Sequence, residues 1–290
     1  ALAEAARTQR IQKFMLNLFE GGDQAVGPSD SMRVITLVDR GAMEAKILNS
    51  DPKIQAELYQ NLGDIYEKLG KFEQADALLQ TALAQHQSLY GAYSLESAET
   101  LLELGLLRDA QGKFDDAERY VRQALAIDRQ KLSPTHPALA RATSALGKVL
   151  EDRGSYDAAI QVLQEAARLQ SARGASSTDL SETLSELANS HFYTGHYDAS
   201  ESLNQRVLGM DRQLYGDRHP HIADDLINLG AIKYDLGHYP EAERYDRDAL
   251  DITQSFYGLN HPATASALTI LGRTLVSAGK SDEAAGMLRQ

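Results

Sequence analysis

The sequence contains no cysteine, little proline and no long hydrophobic run. Without cysteine, the 290-residue chain can form no disulfide framework, no thiolate zinc site and no cysteine nucleophile. Its apolar stretches fall short of the ~20 residues that span a bilayer, and the opening ALAEAARTQR lacks the basic-then-apolar order of a signal peptide. We therefore expect no membrane span in this chain and a cytoplasmic location, or an extracytoplasmic one if a span precedes it.

Basic residues are also in short supply. There are 29 lysines and arginines against 41 aspartates and glutamates, which gives a net charge of −12 with histidine neutral. This charge opposes the phosphate backbone, whose neutralisation supplies most of the affinity for nucleic acids. Nucleic acids and anionic membranes are therefore poor candidate partners, and a basic peptide or protein is a better one.

A sequence repeat runs through most of the chain. A leucine followed by Gly (Ala in the fourth copy) recurs at intervals of 42, 42, 41, 42 and 42 residues: Leu62, Leu104, Leu146, Leu187, Leu229 and Leu271. A second glycine follows in step: Gly70, Gly112, Gly154, Gly195, Gly237 and Gly279. An aromatic residue comes two positions later in the first five copies, and a small residue follows it in every copy. The agreement of these columns indicates a tandem array of one structural unit.

Each copy predicts two helices joined by a tight turn. The second glycine can supply the left-handed cap that ends the first helix. An aromatic residue followed by acids, as in Phe114-Asp115-Asp116, suits the start of the second helix. His-Pro at 136–137, 219–220 and 261–262 marks the start of the next hairpin. The small residues are expected where helices cross, so that stacked hairpins bury each other's apolar faces.

These columns resemble the tetratricopeptide repeat (TPR), and the 42-residue period with YG and HP between hairpins resembles its kinesin-light-chain type. The resemblance implies an all-α fold, a right-handed alpha-alpha superhelix (TPR solenoid) of about six hairpins with N-terminal capping helices. The expected array covers 53–290, in hairpins of approximately 53–94, 95–136, 137–177, 178–219, 220–261 and 262–290.

Two features depart from the family pattern. The first-helix tyrosine is kept only as Tyr66, so the packing must vary at the equivalent positions, which hold Arg108, Leu150, His191, Lys233 and Leu275. The third linker, RGASSTDLS, is one residue short and lacks His-Pro, which predicts an irregular turn between hairpins three and four.

Residues 1–52 predict an amphipathic helix, a loop and a degenerate half-repeat. A second helix is expected over about 32–48. The first carries one apolar stripe: Ile11, Phe14, Met15, Leu18 and Phe19. Both helices either cap the array or, alternatively, place this stripe in the binding groove, where it competes with ligand.

The same region suggests a larger protein around this chain. RIQKFMLNLFEGG is similar to the segment that joins the catalytic domain of certain bacterial serine/threonine protein kinases to their C-terminal repeats. The catalytic motifs of those kinases are absent from the sequence. Because the chain begins with Ala1 in helical sequence, we expect it to be a piece of a longer protein.

The residue pattern does not predict catalysis, a metal site or a cofactor. The eight histidines fall largely at repeat positions, which favours structural roles over metal binding. Gly-Lys pairs at 70–71 and 112–113 lie at helix ends rather than in the strand-loop-helix of a P-loop. Acid pairs such as Asp224-Asp225 are typical of helix N-termini. We therefore predict no enzyme activity.

In the family, the first helix of each hairpin lines a concave groove. Five residues before the conserved leucine come Glu57, Glu99, Arg141, Glu182, Asp224 and Ser266, and one residue before it come Asn61, Glu103, Ala145, Glu186, Asn228 and Ile270. Six of these twelve are acidic and one is basic. Further predicted groove residues, most of them apolar anchors, are Leu102, Leu106, Asn189, Phe192, Tyr193, Ile227 and Tyr234. A solvated acidic face without a ligand is the alternative interpretation.

The sequence thus predicts a non-catalytic interaction scaffold that binds an extended, basic peptide segment in an acidic groove. It would serve as the interaction or sensor module of a larger bacterial signalling protein. The alternative is a peptide-sensing receptor whose superhelix changes shape when ligand binds. Ala284, Ala285 and Leu288 lack a following helix, so we expect either more chain beyond them or self-association through this end.

Overall fold

The computed structural model describes residues 34–47, 51–172, 177–287 and 289, and the regular structure within them is entirely helical. Its helices are α1 Val34–Ile47, α2 Pro52–Lys68, α3 Phe72–Tyr90, α4 Leu95–Ala110, α5 Phe114–Lys131, α6 Pro137–Asp152, α7 Tyr156–Ser171, α8 Thr178–Tyr193, α9 Tyr197–Tyr215, α10 Pro220–Asp235, α11 Tyr239–Tyr257, α12 Pro262–Ser277 and α13 Ser281–Met287. The predicted all-α fold of paired helices is confirmed. The predicted stripe from Ile11 to Phe19, residues 173–176 of the third linker and Leu288 lie outside the described residues.

The turn inside each hairpin is made by the second glycine of the repeat. Gly70 has a φ of 69°, in the left-handed region that favours glycine. Its N–H donates to the carbonyl of Glu67, and the N–H of Lys71 donates to the carbonyl of Tyr66, both at 2.8 Å. These two bonds satisfy carbonyls at the end of α2 and let α3 begin at once.

Histidines cap the helices that begin with His-Pro. The Nδ1 atom of His219 accepts the N–H of His221 at 3.3 Å, and that of His261 accepts the N–H of Ala263 at 3.2 Å. The His261 ring also stacks on Tyr257, with ring centroids 4.1 Å apart. The structural role predicted for these linker histidines is therefore confirmed.

The small residue after the conserved leucine lies where the two helices of a hairpin cross. A Cβ atom placed on Gly105 would lie 2.5 Å from Cγ2 of Val121, which is too close for carbon atoms. Gly147 faces Leu163 just as closely. By contrast, a Cβ on Gly209, within α9, would meet nothing within 4 Å. Close helix packing therefore explains the repeated glycine, as predicted.

Polar contacts link hairpins at the position of the family's tyrosine. Tyr66 donates from its hydroxyl to Asp39 of α1 at 2.6 Å. At the equivalent position, Arg108 forms an ion pair with Asp76 of the preceding hairpin, with 2.7 Å between Nη2 and Oδ1. Lys233 pairs in the same way with Glu201 at 2.8 Å. Ion pairs thus replace the aromatic contact in two of the hairpins.

The helices form two compact units, Ala1–Ala145 and Leu146–Gln290. In the first, α1 packs against α2, and the side-chain amide of Gln55 donates to the carbonyl of Ala45 at 2.9 Å. In the second, Ile222, Leu226 and Leu229 of α10 pack into one apolar cluster. A helix long and apolar enough to cross a membrane does not occur in the described segments.

Candidate functional site

In the described part of the chain, three clefts open between consecutive first helices of the hairpins. The first cleft, of about 420 Å³, lies between α2, α3 and α4 and is lined by Glu57, Asn61 and Glu99 among others. The second cleft, of about 380 Å³, lies between α4, α5 and α6. The third cleft, of about 170 Å³, lies between α8, α9 and α10. The first two belong to the first compact unit and the third to the second unit.

The three clefts are built from the same repeat positions. One wall carries Glu57 in the first cleft, Glu99 in the second and Glu182 in the third. The opposite wall carries the next member of the same column, which is Glu99, Arg141 or Asp224. The structure therefore places most of the predicted acidic column on the walls of clefts. Asn61 and Asn228, from the second column, line the first and third clefts.

The floor of each cleft comes from a position on the second helix that the sequence interpretation missed. A buried polar side chain occupies it in five hairpins, namely His86, Asp128, Gln170, Asp211 and Thr253. Buried polar residues at one repeat position are unusual, because a polar group costs free energy to bury. This recurrence within an otherwise apolar helix face was the signal available in the sequence.

The floor of the first cleft is internally hydrogen-bonded. Nδ1 of His86 lies 2.8 Å from Oγ1 of Thr100, which in turn donates to Oε1 of Gln60 at 2.6 Å. Burial lowers the pKa of His86 and so favours its neutral form. Lys53 lies at the rim, with its Nζ 5.5 Å from the centre of the Tyr90 ring. The first cleft therefore has a neutral floor beneath its acidic wall.

Beside the second cleft, the prediction of an acidic groove position at Glu103 needs correction. Glu103 was expected as a free acid of the groove, but only 7% of it is exposed, and it accepts a bond from Nη2 of Arg141 at 2.5 Å. Arg141 comes from the next hairpin and lies over Glu103, so its positive charge cancels the acid. Burial also raises the pKa of Asp128 on the floor, while His136 opposes that rise.

The third cleft has two carboxyl groups on its floor. Asp211 accepts a hydrogen bond from the hydroxyl of Ser181, and Asp225 lies beside it from α10. Burial, followed by the charges of Asp211 and Asp224, raises the pKa of Asp225 to about 8. Burial raises the pKa of Glu182 on the wall as well.

Glu186 is a second predicted acid that does not behave as expected. It is half-buried, and its Oε2 atom accepts no hydrogen bond from the described residues. Burial and then the nearby Glu151 raise its pKa to about 8, while Lys148 opposes this rise. Glu186 is therefore mostly neutral at neutral pH and adds little negative charge to the groove.

Most of the predicted apolar anchors lie away from these clefts. Leu102 lines the second cleft, although it is itself buried. Phe192 packs edge-on against Tyr193 and Tyr197 at the turn of its hairpin, with centroid distances of 5.4 and 5.6 Å. Tyr234 lies at the next hairpin turn, where its hydroxyl is 2.9 Å from that of Ser277.

The remaining predicted residues are half-buried on their helices. Leu106 lies on α4, Asn189 on α8 and Ile227 on α10, where it packs against the apolar cluster of that helix. The lining of the three clefts does not include them. The described residues contain no group of three histidines or acids able to hold a metal ion.

Solved structures share this fold. Nearly identical TPR-like repeats from a Podosopora anserina protein described as a kinesin light chain are 19% identical, with a TM-score of 0.60 over 68% of this chain and 93% of that one. The sensor-bearing Signal Transduction ATPase with Numerous Domains from Pyrococcus horikoshii is 17% identical, with a TM-score of 0.69 over 87% and 39% of the two chains.

A third structure, Rap protein complexed with Competence and Sporulation Factor, is 17% identical, with a TM-score of 0.67 over 98% of this chain and 75% of that one. At these identities the likeness concerns the fold alone. The kinesin light chain match confirms the predicted kind of repeat. A comparison with curated proteins finds no match.

A family model described as Tetratricopeptide repeat matches four overlapping segments of the sequence, residues 55–130, 110–172, 179–255 and 226–290. Together they cover the hairpins from α2 to the C-terminus, apart from the third linker. The helix pairs, the glycine turns and the close crossings described above fall within the matched segments. The chain therefore belongs to the tetratricopeptide repeat family.

Proposed function

We propose that this chain is a non-catalytic scaffold that binds an extended, net basic protein segment across its clefts. The observation that carries the proposal is the recurrence of one cleft in three hairpins, each with acids from the same repeat positions on its walls or floor. Similar sites at the same repeat positions suit a ligand with a repeating backbone. An extended peptide has such a backbone, and its basic side chains would complement the acids.

The test uses acids that remain accessible in the fold. Glu99 and Asp224 are exposed on cleft walls, whereas Glu103 and Glu186 are not free charges. The variant E99K/D224K should weaken binding of a fluorescein-labelled (Arg-Ser-Gly)4 peptide by about 2- to 30-fold, at about 0.2–1 kcal/mol for each exposed charge. Fluorescence anisotropy at two salt concentrations measures this, and the affinity should fall with salt.

A matched control separates the clefts from net charge. Glu73 and Asp248 are exposed on second helices and line none of the three clefts, so E73K/D248K changes the net charge equally. This control should bind (Arg-Ser-Gly)4 like wild type, and (Glu-Ser-Gly)4 should not bind either protein. Equal losses in the two double variants would refute binding at the clefts.

We further propose that this scaffold is the interaction or sensor module of a larger signalling protein. The solved Signal Transduction ATPase with a TPR sensor supports this, because this chain covers 39% of that protein. If the chain acts as a sensor, its shape should change when (Arg-Ser-Gly)4 saturates it. Small-angle X-ray scattering, with and without the peptide, measures this change. An unchanged scattering curve would favour a passive scaffold.

A further inference from the structure

The third cleft differs from the other two in the chemistry of its floor. In the first cleft the floor residue His86 forms a hydrogen bond of 2.8 Å with Thr100, a fully buried residue of the next hairpin. In the second cleft the corresponding partner of Asp128 is an alanine, Ala142. In the third cleft both positions hold carboxyl groups, Asp211 and Asp225. Of the three clefts, the third is therefore the one in which both repeat positions hold an acid.

Asp225 is the residue that points to a ligand. Only 4% of it is exposed, and it lines the cleft. Its Oδ2 atom accepts no hydrogen bond from the part of the chain that the structure describes. Asp211, by comparison, accepts the hydroxyl of Ser181. A buried carboxyl oxygen without a donor is unfavourable, so a cationic donor entering the cleft would satisfy it.

The size and walls of the cleft fit one side chain. Its volume of about 170 Å³ is below the range of about 300–1,000 Å³ that is usual for small-molecule sites. Tyr215 forms part of the wall, and its hydroxyl donates to Oγ1 of Thr178 across the rim at 3.1 Å. The Tyr215 ring already stacks on His219, with ring centroids 4.6 Å apart, so the recognition of a cation falls to the two carboxyl groups, which suit a planar guanidinium. Among the described lining residues there is no lysine or arginine to occupy the site from within.

We propose that the third cleft binds the guanidinium of one arginine side chain of the partner segment, between Asp211 and Asp225 and beside Tyr215. This inference rests on the proposed function and assigns one residue of the basic segment to one site. A guanidinium is preferred to an ammonium because its fork of N–H donors can reach two carboxyl groups at once.

Occupation of the cleft should release a proton. The raised pKa of Asp225 means that it is protonated at neutral pH when the cleft is empty, and a bound cation favours its ionised form. Affinity should therefore rise from pH 6 to pH 8 and then level off. Among the described residues, the other charged or titratable groups near Asp225 are Glu182 on α8, Asp211, Arg212 and Tyr215 on α9, and His221 and Asp224 on α10.

The experiment compares three labelled peptides, (Arg-Ser-Gly)4, (Lys-Ser-Gly)4 and (citrulline-Ser-Gly)4, on the whole chain at pH 8. Citrulline keeps the shape of arginine without its charge. Wild type should prefer arginine over lysine, and D225N should weaken the arginine peptide by about tenfold or more and remove that preference. D211N is a second variant with the same expected result. D248N, which removes one exposed acid from α11, should change the affinity less than about twofold.

The outcomes separate the two proposals. If wild type does not bind the arginine peptide, the proposed function fails and the arginine site with it. If D225N and D211N bind like wild type while E99K/D224K weakens binding, the scaffold proposal stands and the arginine site is refuted. Two results together would also overturn the arginine site and assign the cleft to a free polyamine. They are equal affinity for the arginine and citrulline peptides, and displacement of the peptide by micromolar spermidine.

Discussion

Replacing Asp225 with asparagine should stabilise the fold, by an amount that grows with pH. The side chain is almost fully buried, and its pKa is about 8 in the fold against 3.8 as the ordinary value. Between these values the folded chain holds a proton that the unfolded chain has released. Stability from this group is therefore complete below pH 3.8 and is lost as the pH rises towards 8.

The size of the effect follows from the same values. Over this window, the free energy of unfolding of the wild type falls by about 1.4 kcal/mol for each pH unit. The interval from pH 3.8 to pH 7 therefore limits the stabilisation of D225N at pH 7 to about 4 kcal/mol. Asparagine does not titrate and keeps a similar shape. Some of the ceiling is lost because the buried amide must still find hydrogen-bond partners.

Urea unfolding followed by circular dichroism at 222 nm, at each pH from 5 to 9, measures the difference between D225N and wild type. The difference should increase up to pH 8 and then stay constant. D248N is the matched control, because Asp248 is exposed, and its difference from wild type should not depend on pH. A gain in D225N that is equal at pH 5 and pH 8 would refute the reasoning.

Two other substitutions test the packing, by the same urea measurement. G105A should lose about 1–2 kcal/mol, because its new Cβ would collide with the buried, β-branched Val121, whereas G209A should gain about 0.5–1 kcal/mol because nothing opposes it. Changes of the same sign in both variants would contradict the helix-crossing explanation. R141L should cost about 1–3 kcal/mol, because it leaves the buried Glu103 without its partner, and adding E103Q should restore part of that loss. If R141L lowered the free energy of unfolding equally in the wild-type and E103Q backgrounds, the Arg141–Glu103 pair would contribute nothing to stability.

The fold could be predicted from the sequence because each repeated residue meets a requirement of the local backbone or of helix packing. A glycine such as Gly70 must adopt a positive φ, and Gly105 must leave room for Val121. Such constraints recur in each hairpin, so they are visible as columns. The groove columns were also recognisable, since five of the six residues in the first of them lie on cleft walls.

The charge state of the clefts could not be predicted in this way. Periodicity identifies the face on which a residue lies, but its depth depends on the side chains of the next hairpin. Glu103 and Asn61 share a column, yet Glu103 is covered by Arg141 while Asn61 is exposed. The pattern around Asp225 is that of a helix N-terminal acid, and it does not predict that Asp211 of the preceding hairpin lies beside it.

The ion pairs at the former tyrosine position make the order of the hairpins matter. Lys233 is only 13% exposed, and it reaches back to Glu201 in the hairpin before its own. In the third hairpin, the residue equivalent to Glu201 is Ile160. If hairpin four were deleted, Lys233 would face an isoleucine, and Glu241 of its own hairpin, 3.6 Å away, would be its remaining acid. Gain or loss of whole repeats during evolution would therefore require compensating substitutions in the neighbouring hairpin.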